Sequence, residues 1–359
     1  MSFNLAAILR ESANSYPDKP AALSAQGQLT YGQLDAASDR VAASLAAGGI
    51  RHGDPVALQL PNIPQFLISY FGILKAGAVA VPLNVMLKAP EVAFHLGDSG
   101  ARVLITWEGI LAEAVKGAQA AGLDQIYAVG HADDQDGAVP FERLLAVEVP
   151  RYEMARRDPA DTAVIVYTSG TTGRPKGAEL THLQLYMNAD IPGRLFGIKH
   201  DDIVITALPL FHVFGLSSIL NLCVRFGCTM SLIPRFTPAA VLEAIQRDRA
   251  TIFDGVPTMF ADLLSHPDLD GYDLSSLRVA ISGGASIPAP LLDAFEERFG
   301  LVILEGYGLT ETASTTTFNV SVEERGVYSV GKPIWGHRRR SGMTRADRCL
   351  RGRRTSARS

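Results

Sequence analysis

Cysteine is scarce in this chain of 359 residues: Cys223, Cys228 and Cys349 are the full set. Three scattered thiols exclude a disulfide framework or a cysteine-based metal site. The eight histidines show no paired ligand spacing either. A reducing, cytoplasmic setting fits this usage. Long apolar runs are also missing. The longest, residues 66–74 and 213–224, end at Lys75 and Arg225, short of the ~20 residues that a membrane helix needs. No basic start precedes an apolar run in the first twenty residues, so no secretory signal is expected. Internal repeats are absent, and so are low-complexity tracts before the last segment.

What is present is a core-rich composition, 47% hydrophobic and 19% charged, at a length that suggests two or three domains. Net charge is −4, of which residues 337–359 contribute +8 (nine Arg, one acid), leaving −12 on the rest. An acidic body argues against nucleic acid as a partner. The arginine-rich end has three readings: a basic arm for anionic polymers or lipid, a solvated unstructured end, or out-of-frame translation. The last is preferred, because its composition changes abruptly.

Strand and helix signals alternate along most of the chain, which predicts parallel strands joined by crossovers. Thr30 and Gln33 form a capping box that opens a helix closed by Gly48 and Gly49. "PVALQL", "AVAVPL" and "RVLIT" read as buried strands. "PQFLISYFGILKAG" and "APEVAFHLGDSG" read as the helices between them. Polar, turn-rich residues 131–161 interrupt this rhythm. The division expected is an α/β subdomain over residues 1–160, a second over 161–336, and a tail over 337–359.

"YTSGTTGRPKGAEL" (residues 167–180) has the glycines, hydroxyls and lysine of a phosphate cradle. It departs from G-x-x-x-x-G-K-[ST], because Pro175 precedes Lys176 and Gly177 follows. A buried strand, "TAVIVYT", leads into it. Thr181 and Gln184 form a second capping box, so the loop is expected to be a strand-to-strand hairpin. Its donors would be amides and the hydroxyls of Thr168, Ser169, Thr171 and Thr172, with Gly170 and Gly173 for curvature and Lys176 as cation.

"RVAISGGASIPAPLLDAFEERFGLVILEGYGLTETA" reads as a βαβ unit with Ser286 as helix cap and Gly300 as its end. This places Gly284 and Ala285, and likewise Glu305, Gly306, Tyr307 and Gly308, beyond the carboxyl ends of parallel strands, where open α/β sheets bind ligands. Glycines there let backbone approach a planar ring, and Tyr307 could cover it. Thr310 and Glu311 offer oxygen ligands of the kind Mg²⁺ takes beside phosphates. His212, in the apolar stretch "LPLFHVFG", reads equally well as a packed core histidine or as a pocket residue.

In order along the chain, "YTSGTTGRPKG", "LPLFHVFG", "GGAS", "EGYGLTET" and "VGKPIWG" resemble the signatures of the adenylate-forming superfamily, in its fatty-acyl and aryl-CoA synthetase branch. The resemblance spans residues 5–336. It implies two packed αβ subdomains with mostly parallel sheets, and ATP-dependent activation of a carboxylic acid, expected to be a fatty acid, followed by transfer to CoA with Mg²⁺. It also implies roles for residues. Thr168, Lys176, His212 and Glu311 would be catalytic, with Thr168 and Glu311 holding the metal. The loop from Thr168 to Lys176 would take the β- and γ-phosphates, and Thr310 the α-phosphate. Gly284, Ala285 and Tyr307, flanked by Glu305, Gly306 and Gly308, would bound the adenine. His212, Val213, Gly215, Leu216 and Val256 would meet the acyl group.

After "GKP" the pattern is lost. The family's small β-barrel subdomain and its lysine-bearing C-terminal domain find no counterpart, so a truncated or frameshifted chain with little ligase activity and an incomplete CoA site is expected. Exposed apolar surface is expected near Tyr328 and Trp335. A non-catalytic nucleotide- or acyl-binding remnant, half of a split enzyme, and an amino-acid-adenylating module are the competing readings. Peripheral membrane contact, a complementing C-terminal polypeptide and a homodimer stay open as partners.

Overall fold

The computed structural model describes residues 2–25, 27–130, 137–169, 173–327 and 329–334. Gly170, Thr171 and Thr172 of the loop lie outside them, as do Tyr328, Trp335 and the arginine-rich end. Among the described residues the strands are β1 (Pro20–Ser24), β2 (Gly27–Thr30), β3 (Pro55–Leu58), β4 (Val79–Pro82), β5 (Val103–Trp107), β6 (Ile126–Val129), β7 (Val139–Pro140), β8 (Thr162–Thr168), β9 (Lys176–Thr181), β10 (Ile203–Thr206), β11 (Thr229–Leu232), β12 (Ile252–Gly255), β13 (Val279–Ser282), β14 (Ile303–Leu309), β15 (Ser314–Phe318) and β16 (Lys332–Pro333).

They form two sheets, ordered β7-β6-β5-β3-β4-β8-β9 and β16-β15-β14-β13-β12-β10-β11-β1-β2. Pairing is parallel except at β1–β2, β8–β9, β14–β15 and β15–β16. The mixed α/β architecture is the one expected, with mostly parallel sheets. Strand pairing crosses the expected boundary at residue 160. β8 and β9 complete the first sheet, whereas β1 pairs with β11 in the second through Ala22↔Met230 and Leu23↔Ser231. Local pattern marks a strand but not its distant partner, which is chosen by burial. One continuous apolar core runs from Leu5 to Ile334 and draws on both sheets. Among the described residues no helix is long and apolar enough to cross a membrane.

Helix starts follow local chemistry. Both capping boxes are made: the Thr30 hydroxyl accepts the Gln33 N–H ahead of helix Tyr31–Ala47, and Thr181 accepts the Gln184 N–H ahead of helix His182–Leu195. Ser286 is not a cap, contrary to expectation. The helix begins three residues later, as Ala289–Phe299, with no side-chain cap. Pro288 explains this, since it disfavours helical backbone in Ile287, the residue before it. Pro290 then falls in the first turn of the helix, where no N–H donor is needed.

One charged cluster ties the first helices together. Lys75, fully buried, donates to Asp35 (2.6 Å) and Asp39 (2.7 Å), and Arg10 pairs with the same two carboxylates. Burial lowers the Lys75 pKa, and the two carboxylates oppose that shift.

Candidate active site

A cavity of about 700 Å³ lies between the β8–β9 hairpin and the carboxyl ends of β12, β13 and β14, within the size range of small-molecule sites. Thr168, Ser169 and Lys176 reach it from the hairpin, and Thr310 and Glu311 from the turn after β14. The hairpin is set by register. Six pairings zip β8 to β9 as far as Thr168↔Lys176. Gly173 turns there at φ +83°, a conformation that favours glycine.

Two asparagines brace segments that line the cavity. Asn62 donates to the carbonyls of Thr206 and Leu208 (2.9 Å each) and accepts the Leu210 N–H (3.0 Å). It thereby ties the first sheet to the segment that leads to His212. Asn188 donates to the carbonyls of Thr312 (3.2 Å) and Thr315 (2.8 Å) and accepts the Thr315 N–H (3.0 Å), pinning the Glu311 turn. That turn is strained: Ala313 and Ser314 take φ +59° and +106°, which costs on the order of 1–3 kcal/mol per residue and clusters at functional sites.

His212 opens onto the cavity. Its Nδ1 accepts the Phe214 N–H at 3.3 Å, so the neutral ring carries its proton on Nε2. Desolvation lowers its pKa, and at pH 7 it is a neutral donor. A π-helix, Phe214–Asn221, follows directly; such turns concentrate at functional sites. Val213, Gly284, Gly306, Tyr307 and Gly308 also line the cavity. Tyr307 is 47% exposed, so it is not a core residue.

Several expected contacts are not made. Gly306 and Gly308 are not in a loop; β14 continues through them, paired with β15. A Cβ on Gly306 would lie 2.4 Å from the Phe318 ring, and one on Gly308 1.8 Å from the Ser314 carbonyl oxygen. Neither position has room for a side chain, and both line the cavity. Glu305 is buried, and its carboxylate accepts the Ile287 N–H (3.4 Å) instead of lining the cavity. Gly215, Leu216 and Val256 do not line it either. Gly215 lets the π-helix sit on the Pro209 carbonyl, Leu216 is fully buried, and Val256 lies behind Gly284. Ala285 is exposed beside Gly284, outside the cavity wall, as is Gly173.

The cavity also holds residues not anticipated from the sequence: Phe196, Phe214, Ser218, Ser282 and above all Asp254. The signal for Asp254 was a single acid interrupting the apolar run "ATIFDGV". Among the described residues no cluster of three or more His, Cys, Asp or Glu could form a metal cage. One carboxylate with nearby hydroxyls suits a cation that keeps water and phosphate oxygens among its ligands, as Mg²⁺ does.

Residues 9–340 match a protein family described as AMP-binding enzyme. The chain is 32% identical over 356 residues to a long-chain-fatty-acid–CoA ligase of Bacillus subtilis (strain 168), covering 92% of this chain and 64% of that one. It is 39% identical over 292 residues to a feruloyl-CoA synthase of Amycolatopsis sp, covering 79% and 55%. It superposes on the anthranilate CoA ligase AuaEII in complex with anthranoyl-AMP with a TM-score of 0.88 at 29% identity, over 94% of this chain and 64% of that one. The chain thus spans between about half and two thirds of the length of these proteins. On this sequence match and this fold, it belongs to the AMP-binding enzyme family, alongside its acid–CoA ligases.

Proposed function

We propose that the cavity binds MgATP and a carboxylic acid and couples them. An oxygen of the acid attacks the α-phosphorus, pyrophosphate leaves, and an acyl-adenylate forms; the thiol of CoA then attacks the acyl carbon and AMP leaves. The observation that carries this reading is the meeting of Thr168, Ser169 and Lys176 with Thr310, Glu311 and His212 on one cavity, from distant parts of the chain.

Each residue has a physical task. Lys176 and the hydroxyls of Thr168 and Ser169 offer donors to the β- and γ-phosphates, and the loop residues Gly170, Thr171, Thr172 and Gly173 are proposed to add theirs. Thr310 reaches the α-phosphate. Gly284 and Tyr307 border the adenine, with Ala285 next to Gly284 just outside the cavity wall. Thr168 and Glu311 would hold Mg²⁺, which neutralises charge as it builds on the departing pyrophosphate. His212, neutral with its proton on Nε2, donates to one carboxylate oxygen of the acid and orients the other toward phosphorus. Val213, with Phe196, Ile198, Val204, Ile252 and Ile281, gives the acyl body an apolar wall suited to fatty and aryl acids alike.

ATP–pyrophosphate exchange with a panel of fatty and aryl acids tests the reading. Exchange that appears only when an acid is added supports it. MgATP binding with no acid-dependent exchange would reduce the cavity to a nucleotide site.

A further inference from the structure

Asp254 has no part in the chemistry above, yet it sits on the cavity floor. Val204 pairs with Ile252 across β10 and β12, and Asp254 with Ile281 across β12 and β13. Alternation along β12 puts Ile252 and Asp254 on the same face, and all four residues line the cavity. Phe253, between them, turns the other way to meet Phe260, ring centroids 5.2 Å apart. The Asp254 carboxyl is therefore aimed into the cavity, at only 4% exposure.

Its surroundings are apolar, and among the described residues it has no hydrogen-bond or ion-pair partner. Burial pushes its pKa up to about 8, so at neutral pH it is chiefly a neutral acid, able both to donate and to accept. Ser282, which lines the same cavity, has a buried hydroxyl that is likewise unpartnered. Polar groups left unpaired in an interior are costly and rare. An incoming group that completes them removes that cost.

We propose that Asp254 selects the substrate class: the acid taken by this chain bears a neutral hydroxyl at the end far from its carboxylate, as in a phenolic or ω-hydroxy acid, and that hydroxyl hydrogen-bonds to the Asp254 carboxyl. This rests on the adenylation reading, in which the acid's carboxylate lies at His212 by the open side and its body extends to the floor. An acid lacking the hydroxyl would leave Asp254 unpaired, whereas a site built around such a contact discriminates strongly.

Acyl sulfamoyl adenosines, non-hydrolysable stand-ins for the adenylate, test this by calorimetry on the full chain. Two matched pairs suffice: para-hydroxycinnamoyl against cinnamoyl, and ω-hydroxyacyl against the plain acyl chain, with an ω-aminoacyl analogue as a third arm. The wild-type chain should prefer the hydroxylated member by roughly 10- to 100-fold. Asp254→Leu should erase or invert that preference while still binding ATP, and Asp254→Asn, which keeps a hydrogen-bonding side chain, should retain it. Equal binding of both members, an unchanged preference in Asp254→Leu, or tightest binding of the amine would each overturn the proposal. If ATP binds but no analogue does, the adenylation reading itself fails, a result distinct from the others.

Discussion

Two buried acidic sites in this molecule stand in contrast. At Lys75, every charge is answered: one ammonium and one guanidinium face two carboxylates, all held between 2.6 and 2.9 Å. At Asp254 nothing answers, although the carboxyl is as deeply buried. Asp35 and Asp39 are answered by partners from other elements of the chain, and the cluster fastens the first helices to one another. Asp254 faces a cavity that something else must fill. Buried charge that is fully paired reads as structure, and a buried carboxyl left open beside a cavity reads as recognition.

Removing the answering charge should produce the largest effect. Lys75→Ala leaves Asp35 and Asp39 with Arg10 alone, and denaturant unfolding should show a loss of about 3–5 kcal/mol. Asp254→Asn should go the other way and stabilise the chain at neutral pH, because an amide has no charge to give up on burial whereas the carboxyl must take up a proton to fold. The pH dependence follows from linkage. The folded-state pKa of about 8 lies above the unfolded value of 3.8, so the native state holds a proton that the unfolded chain releases. Wild-type stability should thus fall as pH rises from about 4 to 8, by at most about 1.4 kcal/mol per unit. The advantage of Asp254→Asn should widen over that window; thermal melts that stay parallel would break the contrast. The smallest effect concerns a site with neither feature. Thr181→Ala loses one helix cap and should cost about 1 kcal/mol, with no dependence on pH between 5 and 9, the range over which neither residue titrates.

Much of the fold was legible because its signals are local. Thr30 with Gln33 and Thr181 with Gln184 are contacts three residues apart, and the β8–β9 hairpin follows from a buried strand that runs into a glycine loop. Ser286 was misread because Pro288, two residues on, overrules a good capping residue. The pairing of β1 with β11, and hence the division between sheets, depends on residues some two hundred positions apart and leaves no local trace. The hairpin, Thr310, Glu311 and His212 could be named from their motifs. Gly306 and Gly308 were named for a cavity that they do line, but the Phe318 ring and Ser314 carbonyl that also crowd them are visible only in three dimensions. Asp254 was missed because its meaning depends on which face of β12 meets the cavity.

The central claim is that the hairpin and the Glu311 turn share one triphosphate pocket, and ATP and AMP binding to wild type and Lys176→Ala tests it most directly. The variant should weaken ATP roughly 10- to 100-fold, as expected for losing a charge-assisted hydrogen bond, and leave AMP within about twofold, inside the scatter of such measurements. Unchanged ATP affinity in Lys176→Ala, or equal losses for ATP and AMP, would contradict it.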